Sequence, residues 1–310
     1  MKAAVVTAFD QPPRYRDFPD PAAAGPTEML VEVVAAGLHP LVRSRAAGSH
    51  YSSTGELPLV PGVDAVVRDS SGALYYSLVH DSALGTMAQR TVVDINRSVP
   101  LPDDVDPVAV AAGINPAMAS WMALRHRIDF TPGSRVLVLG ATGSAGRVAI
   151  QVAKRFGAAE VFAAGRDSQR LAQLSALGAD RVLRLDQLVQ AADVDVVIDY
   201  LWGAPAAVGM AEMVAARRDR SSELTWIQIG SMAGLSAEVL AAALRSTRLH
   251  IVGSGFGSVS ARDFRRELPE IARAVSAGDF DVRTRAVPLD EVSAAWQPTP
   301  GDDRRVVFLP

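Results

Sequence analysis

The sequence predicts an α/β protein in which a β-rich segment opens the chain, a doubly wound parallel sheet follows, and a β-rich tail closes it. Three observations carry this. Before residue 105, short apolar stretches are punctuated by glycine and proline. From Arg135 onward, wholly apolar strands alternate with helical spacing. After Val282 the chain returns to short strands and prolines. Strands apolar on both faces belong to a parallel sheet covered by helices. Short strands bounded by Gly and Pro belong to a small barrel or sandwich.

The elements follow in order. Residues 2–7 and 29–36 read as strands, the second ended by Gly37. Residues 57–67 carry Pro58, Pro61 and Gly62 between β-branched residues, and 73–79 contain Tyr75 and Tyr76. Residues 106–123 are helix-like and interrupted at Pro116. A strand at 135–139 leads through a glycine-rich turn into a helix at 147–156 that Gly157 ends. Next come a strand at 161–164, a helix at 168–177 stopped by Gly178, and strands at 182–185, 194–198, 225–229 and 249–252.

Length and composition bound the function. The chain has 310 residues, 49% of them hydrophobic and 21% charged, enough for about two domains and too apolar for disorder. A net charge of −3 leaves no basic excess to hold nucleic acid. Cysteine is absent, which removes disulfides, thiolate nucleophiles and Cys-ligated zinc. His39, His50, His80, His126 and His250 show no paired spacing, so no metal site is expected. The N-terminus has too short an apolar core for a signal peptide, and no run of 18 apolar residues spans a membrane. A soluble, cytoplasmic protein is the expectation.

Gly140-Ala-Thr-Gly143-Ser-Ala-Gly146 lies between a strand and a helix. This is where a Rossmann fold holds a pyrophosphate: small residues let backbone N–H groups approach the phosphates, and the helix N-terminus adds partial positive charge. Gly140, Thr142, Gly143, Ser144, Ala145 and Gly146 are therefore the candidate phosphate-binding residues. The next strand ends in Ala164-Gly165-Arg166-Asp167. Arg166 is placed to fork onto a 2′-phosphate and Arg170 adds a second charge, which points to NADPH. Asp167 leaves NAD open. Glu160, the acid at the usual spacing, lies at the wrong end of its strand.

These motifs together make the chain resemble the zinc-independent, zeta-crystallin-like quinone oxidoreductases of the medium-chain dehydrogenase/reductase family. The resemblance runs over nearly the whole length. It rests on Met1-Lys-Ala-Ala-Val-Val6, Ala35-Ala-Gly-Leu-His-Pro40, Leu59-Val-Pro-Gly-Val-Asp64, the approach to the glycine turn at 132–140, Leu177-Gly-Ala-Asp180, Asp195-Val-Val-Ile-Asp199, Ile251-Val-Gly-Ser254 and Arg305-Val-Val-Phe-Leu-Pro310. It departs from the family at His39, where asparagine is usual, at Ala119 for a threonine, and at Ser144 for a second glycine.

The resemblance implies a GroES-like β-barrel domain interrupted by a Rossmann domain. The boundaries are 1–115 for the GroES-like catalytic domain, 116–257 for the NADP-binding domain and 258–310 for the return to the catalytic domain. It implies a cleft lined in part by 37–55, 115–121 and 249–257, with Ser254, Gly255 and Phe256 added to the cofactor site. It also implies a homodimer joined through the Rossmann edge strand near 249–252. In that setting Tyr51 is the first candidate to hydrogen-bond a substrate oxygen and His39 the second. Asn115 reads equally as a turn residue; Tyr200 and Trp202, just after the fourth Rossmann strand, are placed to contact the cofactor, although burial alone explains them. The implied reaction is metal-free hydride transfer from NADPH to a small-molecule acceptor, a quinone, enone or activated carbonyl. The alternative is an NADP-binding protein with a regulatory or scaffold role. A short-chain reductase is disfavoured: the glycine turn is far from the N-terminus, and no Tyr-x-x-x-Lys pair exists.

Overall fold

The computed structural model describes residues 1–310 except Thr54, His80, Asp81, Phe256 and Pro300. The chain divides into two units, Met1–Asn115 with Leu268–Pro310, and Pro116–Glu267. In the first unit, β1 (Lys2–Val5) pairs antiparallel with β2 (Arg14–Asp17). The long β3 (Glu28–Gly37) runs into α1 (Pro40–Ala46), and β4 (Asp64–Arg68), β5 (Leu74–Leu78), β6 (Arg90–Asp94) and β7 (Ser98–Pro100) follow. β3 turns Val31 and Val33 inward and Leu30 and Glu32 outward, the period-2 pattern of a half-buried strand. A register shift between Val33 and Ala35 marks a bulge.

The boundary between the units falls inside α2 (Pro107–His126). The helix runs through Pro116 rather than breaking there. Proline removes one N–H donor and one i→i−4 bond, and the buried side chains of Ile114, Ala117, Met118 and Trp121 on either side hold the helix together. By length and composition α2 qualifies as a membrane span, although no unbroken apolar run in the sequence marks it. In the structure 72% of that window is buried, as in a core helix.

The second unit alternates β8 (Arg135–Leu139), α3 (Ser144–Arg155), β9 (Glu160–Gly165), α4 (Ser168–Ala172), β10 (Arg181–Arg184), β11 (Val196–Asp199), α5 (Gly203–Ala216), β12 (Leu224–Gln228), α6 (Ala241–Ser246) and β13 (Leu249–Gly253). Every strand pairing is parallel, in the order β10-β9-β8-β11-β12-β13. This is a doubly wound sheet whose strand order reverses between β8 and β11. β8, β9 and β11 bury almost every residue, which is why they read as apolar runs without alternation. The helix expected over 168–177 is α4 followed by a tighter 3-10 turn, Leu174–Leu177. Gly178, at φ 99°, closes it in the left-handed conformation.

The return to the first unit lies inside α7 (Ala261–Ser276), a helix not singled out from the sequence. Then come β14 (Thr284–Pro288), α8 (Val292–Ala295) and β15 (Arg305–Leu309). β15 pairs with β3, so the tail completes a seven-stranded sheet in the order β14-β15-β3-β4-β5-β7, with β6 also on β3. Val31, Val67, Met87, Trp296 and Phe308 are among the side chains of its core.

Candidate functional site

In the second unit, the turn between β8 and α3 is built by backbone contacts. The N–H groups of Gly140 and Ala141 both donate to the Ala164 carbonyl, each at 3.0 Å, which ties the turn to β9. Gly146 packs so tightly that a Cβ there would stand 2.6 Å from the Ala141 Cα and closer still to the Gly140 carbonyl oxygen. Any side chain at 146 forces the turn open. Gly143 is the N-cap of α3 in extended conformation, with no side chain to cap the helix. The N–H groups of Ser144, Ala145 and Gly146, in the first turn, have no intrahelical acceptor. A Cβ at Gly143 would meet only the Gly140 oxygen, at 3.5 Å. The turn is closed toward the sheet and open at the helix end. It can hold an anion such as a pyrophosphate through backbone donors and the helix dipole.

The end of β9 adds charge. Gly165 lies beside Thr142 of the turn. Arg166 is exposed and, among the described residues, has no hydrogen bond or ion pair. Asp167 is occupied: its Oδ1 accepts the N–H groups of Gln169 (3.0 Å) and Arg170 (3.1 Å) as the N-cap of α4, and its Oδ2 lies 3.5 Å from Arg170 Nε. Glu160 sits at the start of β9 and pairs with Arg181 at 2.9 Å. The acid that left NAD open in the sequence is therefore used to cap a helix.

The end of β11 contributes a residue missed from the sequence. Buried Asp199 accepts the N–H groups of Leu201 (2.7 Å) and Trp202 (2.9 Å) on Oδ1 and the indole N–H of Trp226 (2.9 Å) on Oδ2. Burial pushes its carboxyl up from the ordinary value, against those three donors. The bonds hold Trp202 at φ 52°, ψ −160°, a conformation costly for any residue but glycine. Tyr200 and Leu201 of this turn abut Gly140, so the loops after β8 and β11 meet where the strand order reverses. An aspartate ending an apolar strand was the available signal.

Ser254 is buried and donates its N–H to the Gln228 carbonyl, while Gly255 N–H donates to Ser258 Oγ. Arg127 pins this loop through the carbonyls of Gly253 and Ser258. Phe256, the remaining expected cofactor residue, lies outside the described residues.

In the first unit the two candidate donors have opposite environments. Tyr51 lies on the loop after α1, 74% exposed, its ring 4.1 Å from that of His50. His39, between β3 and α1, is 3% exposed, and its Nε2 lies 2.9 Å from Oδ1 of Asp64, itself 1% exposed. Asp64 Oδ2 accepts the Tyr76 hydroxyl at 2.6 Å. Arg305 is buried nearby and donates to Asn115 Oδ1 at 3.0 Å, so Asn115 anchors a cation rather than forming a turn. Burial pushes the His39 imidazole down, which outweighs the pull of Asp64. Burial also works against the Asp64 carboxylate, but His39, Tyr76 and Arg305 together bring it below its ordinary value. Both shifts run toward a neutral imidazole beside an ionised carboxylate. Among the described residues no group of three or more histidines and carboxylates stands ready for a metal.

No family model matches the chain. It is 31% identical to a probable NADPH-dependent quinone reductase of Emericella nidulans, over an alignment 362 residues long that takes in 100% of both proteins. It is 31% identical over 169 residues to the chloroplastic NADPH-dependent alkenal/one oxidoreductase of Arabidopsis thaliana, covering 49% of this chain and 44% of that protein. Among solved structures, the quinone oxidoreductase of Thermus thermophilus, determined also in complex with NADPH, superposes with a TM-score of 0.83 over 100% of both chains at 25% identity. With one relative matched from end to end and this fold shared over the full length, the chain belongs to the quinone oxidoreductases of the medium-chain dehydrogenase/reductase family.

Proposed function

We infer that the protein is an NADPH-dependent oxidoreductase that passes hydride to an electron-poor acceptor, a quinone, an enone or an activated carbonyl. The observation that carries the cofactor choice is the pairing of an uncapped α3 N-terminus with an Arg166 that has no partner among the described residues at the end of β9. The residues fit the cofactor: Gly143, Ser144, Ala145 and Gly146 offer backbone donors to its pyrophosphate, and Arg166, backed by Arg170, offers a fork to a 2′-phosphate. Asp167 is engaged in capping α4 through Oδ1, and its Oδ2 lies beside Arg170. The named relatives, an NADPH-dependent quinone reductase and an NADPH-dependent alkenal/one oxidoreductase, support the same class of reaction. NADPH, when bound, supplies the hydride from its nicotinamide C4. The chain's own part is to hold the reactants in register and to place hydrogen-bond donors against charge developing on oxygen. Tyr51 is our candidate for that donor.

A homodimer joined through the sheet edge belongs to this proposal. Among the described residues, β13 ends the six-stranded sheet with one side unpaired. In the segment that precedes it, Met232, Leu235, Leu240 and Leu244 are exposed apolar side chains, and an open edge invites pairing with a second copy. Light scattering at micromolar concentration should give twice the chain mass, and a monomer contradicts the proposal.

Two substitutions test the reaction. Arg166→Ala removes a charge-assisted hydrogen bond, so NADPH affinity should fall about 10- to 100-fold while NADH affinity barely moves. Equal affinity of the wild type for the two cofactors overturns the assignment. Tyr51→Phe should lower turnover with a quinone or enone at saturating NADPH. In a closed site such a loss is about 100- to 1000-fold; with Tyr51 so exposed, water compensates in part and about tenfold is expected. A change of less than threefold or so, with folding and NADPH affinity intact, makes Tyr51 a wall residue.

A further inference from the structure

The His39 imidazole is fixed from one side only. Its Nε2 meets Asp64 Oδ1 at 2.9 Å, and among the described residues nothing in the protein bonds to Nδ1. Asp64 is held in turn from three directions. The Tyr76 hydroxyl donates to Oδ2 at 2.6 Å, the Thr86 hydroxyl donates to the Asp64 carbonyl at 2.9 Å, and Arg305 supplies the countercharge from β15. All these groups are buried. A buried carboxylate left without donors is strongly destabilising, and this one is fully served.

The charged groups facing His39 decide its state. From its own helix Arg43 approaches, with Nε bonded to the Trp296 carbonyl; from β15 comes Arg305; from β4 comes Asp64. One carboxylate faces two guanidinium groups. A second proton on His39 would put a third cation among these buried groups. With the imidazole neutral and Asp64 ionised, Nε2 must carry the hydrogen, because a carboxylate can only accept. The hydrogen bond at one ring nitrogen sets the role of the other.

We propose that Asp64 is a positioning residue that fixes His39 as the Nε2–H tautomer, leaving Nδ1 as a hydrogen-bond acceptor for an N–H or O–H group of the bound reactants. His39 then orients a ligand and is not the proton donor, which leaves that task to Tyr51 or water. The ligand half of this proposal rests on the reductase reading; the tautomer half does not.

Asp64→Asn tests it with nearly unchanged shape. The Tyr76 hydroxyl keeps the amide oxygen, so the amide NH₂ faces Nε2 and forces the hydrogen onto Nδ1. Two-bond ¹⁵N–¹H correlation spectra of histidine-labelled protein, with His39 assigned by its loss in His39→Gln, read the tautomer without any turnover. Wild type should be Nε2–H from pH 6 to 8 and Asp64→Asn should be Nδ1–H. Turnover with an enone should fall roughly 10- to 100-fold in Asp64→Asn, as for loss of one hydrogen bond to a polar ligand group. Affinity for 2′,5′-ADP, which lacks the nicotinamide, should stay within about threefold. Tyr76→Phe keeps Asp64 and should keep the wild-type tautomer, which serves as the control for disturbance of the buried cluster. Wild-type His39 found as Nδ1–H, or doubly protonated at pH 7, overturns the proposal. An inverted tautomer in Asp64→Asn with unchanged turnover overturns the positioning role. A wild type that oxidises no NADPH with any acceptor refutes the reductase reading instead, and the spectra still decide the tautomer.

Discussion

At Gly146 the first turn of α3 rests directly on the backbone of Gly140 and Ala141, with no room for even a methyl group. This contact aims the N-terminus of α3 at the end of β8, and the rest of the second unit is arranged around it. The turn is bonded to β9 through Ala164, the loop after β11 packs on Gly140, and Asp199 locks that loop with two backbone donors. The result is a set of unused backbone donors at a rigid place, so little ordering entropy is lost when an anion binds. In the proposed function Arg166, which has no partner in the protein among the described residues, is the charge that distinguishes a phosphorylated ribose from a plain one.

The two units manage polarity in opposite ways. In the second, donors are left open for a ligand. In the first, His39, Asp64 and Tyr76 bond to one another and Arg305 bonds to Asn115, while among the described residues Nδ1 of His39 and Nε of Arg305 have no partner. The cost of burying these groups is offset by hydrogen bonds and an internal countercharge, and the arrangement specifies one orientation of one ring. In the proposed function the open site selects by charge and the buried cluster works through geometry.

Local patterns carried most of what the sequence disclosed. The apolar strand at Arg135–Leu139, the glycine turn, the left-handed stop at Gly178 and the placement of Glu160 at the wrong end of β9 all depend on residues near one another in the chain, and each stands in the structure as its spacing indicates. Other features depend on register between distant strands. Asp64, Tyr76 and Arg305 come together because β3 pairs with β4 on one side and β15 on the other, and β4 pairs with β5, so nothing in the local sequence around His39 announces its partner. Pro116 misleads for a related reason: local chemistry breaks the helix there, and tertiary burial carries it through. The capping role of Asp167 was open to a local reading, since aspartate two and three residues before paired N–H groups is a common N-cap, but its position at the ribose end of β9 made a cofactor role look equally good.

Hydride transfer from the cofactor carbon to a substrate carbon is the step on which the functional assignment stands. Its most direct measurement uses NADPH with deuterium at both C4 positions and an enone acceptor, followed by mass and NMR analysis of the product. Direct transfer predicts one deuterium on carbon for each NADPH oxidised, retained in ordinary water. A reduced product without the label, or no oxidation of NADPH by any enone or quinone, would contradict the assignment.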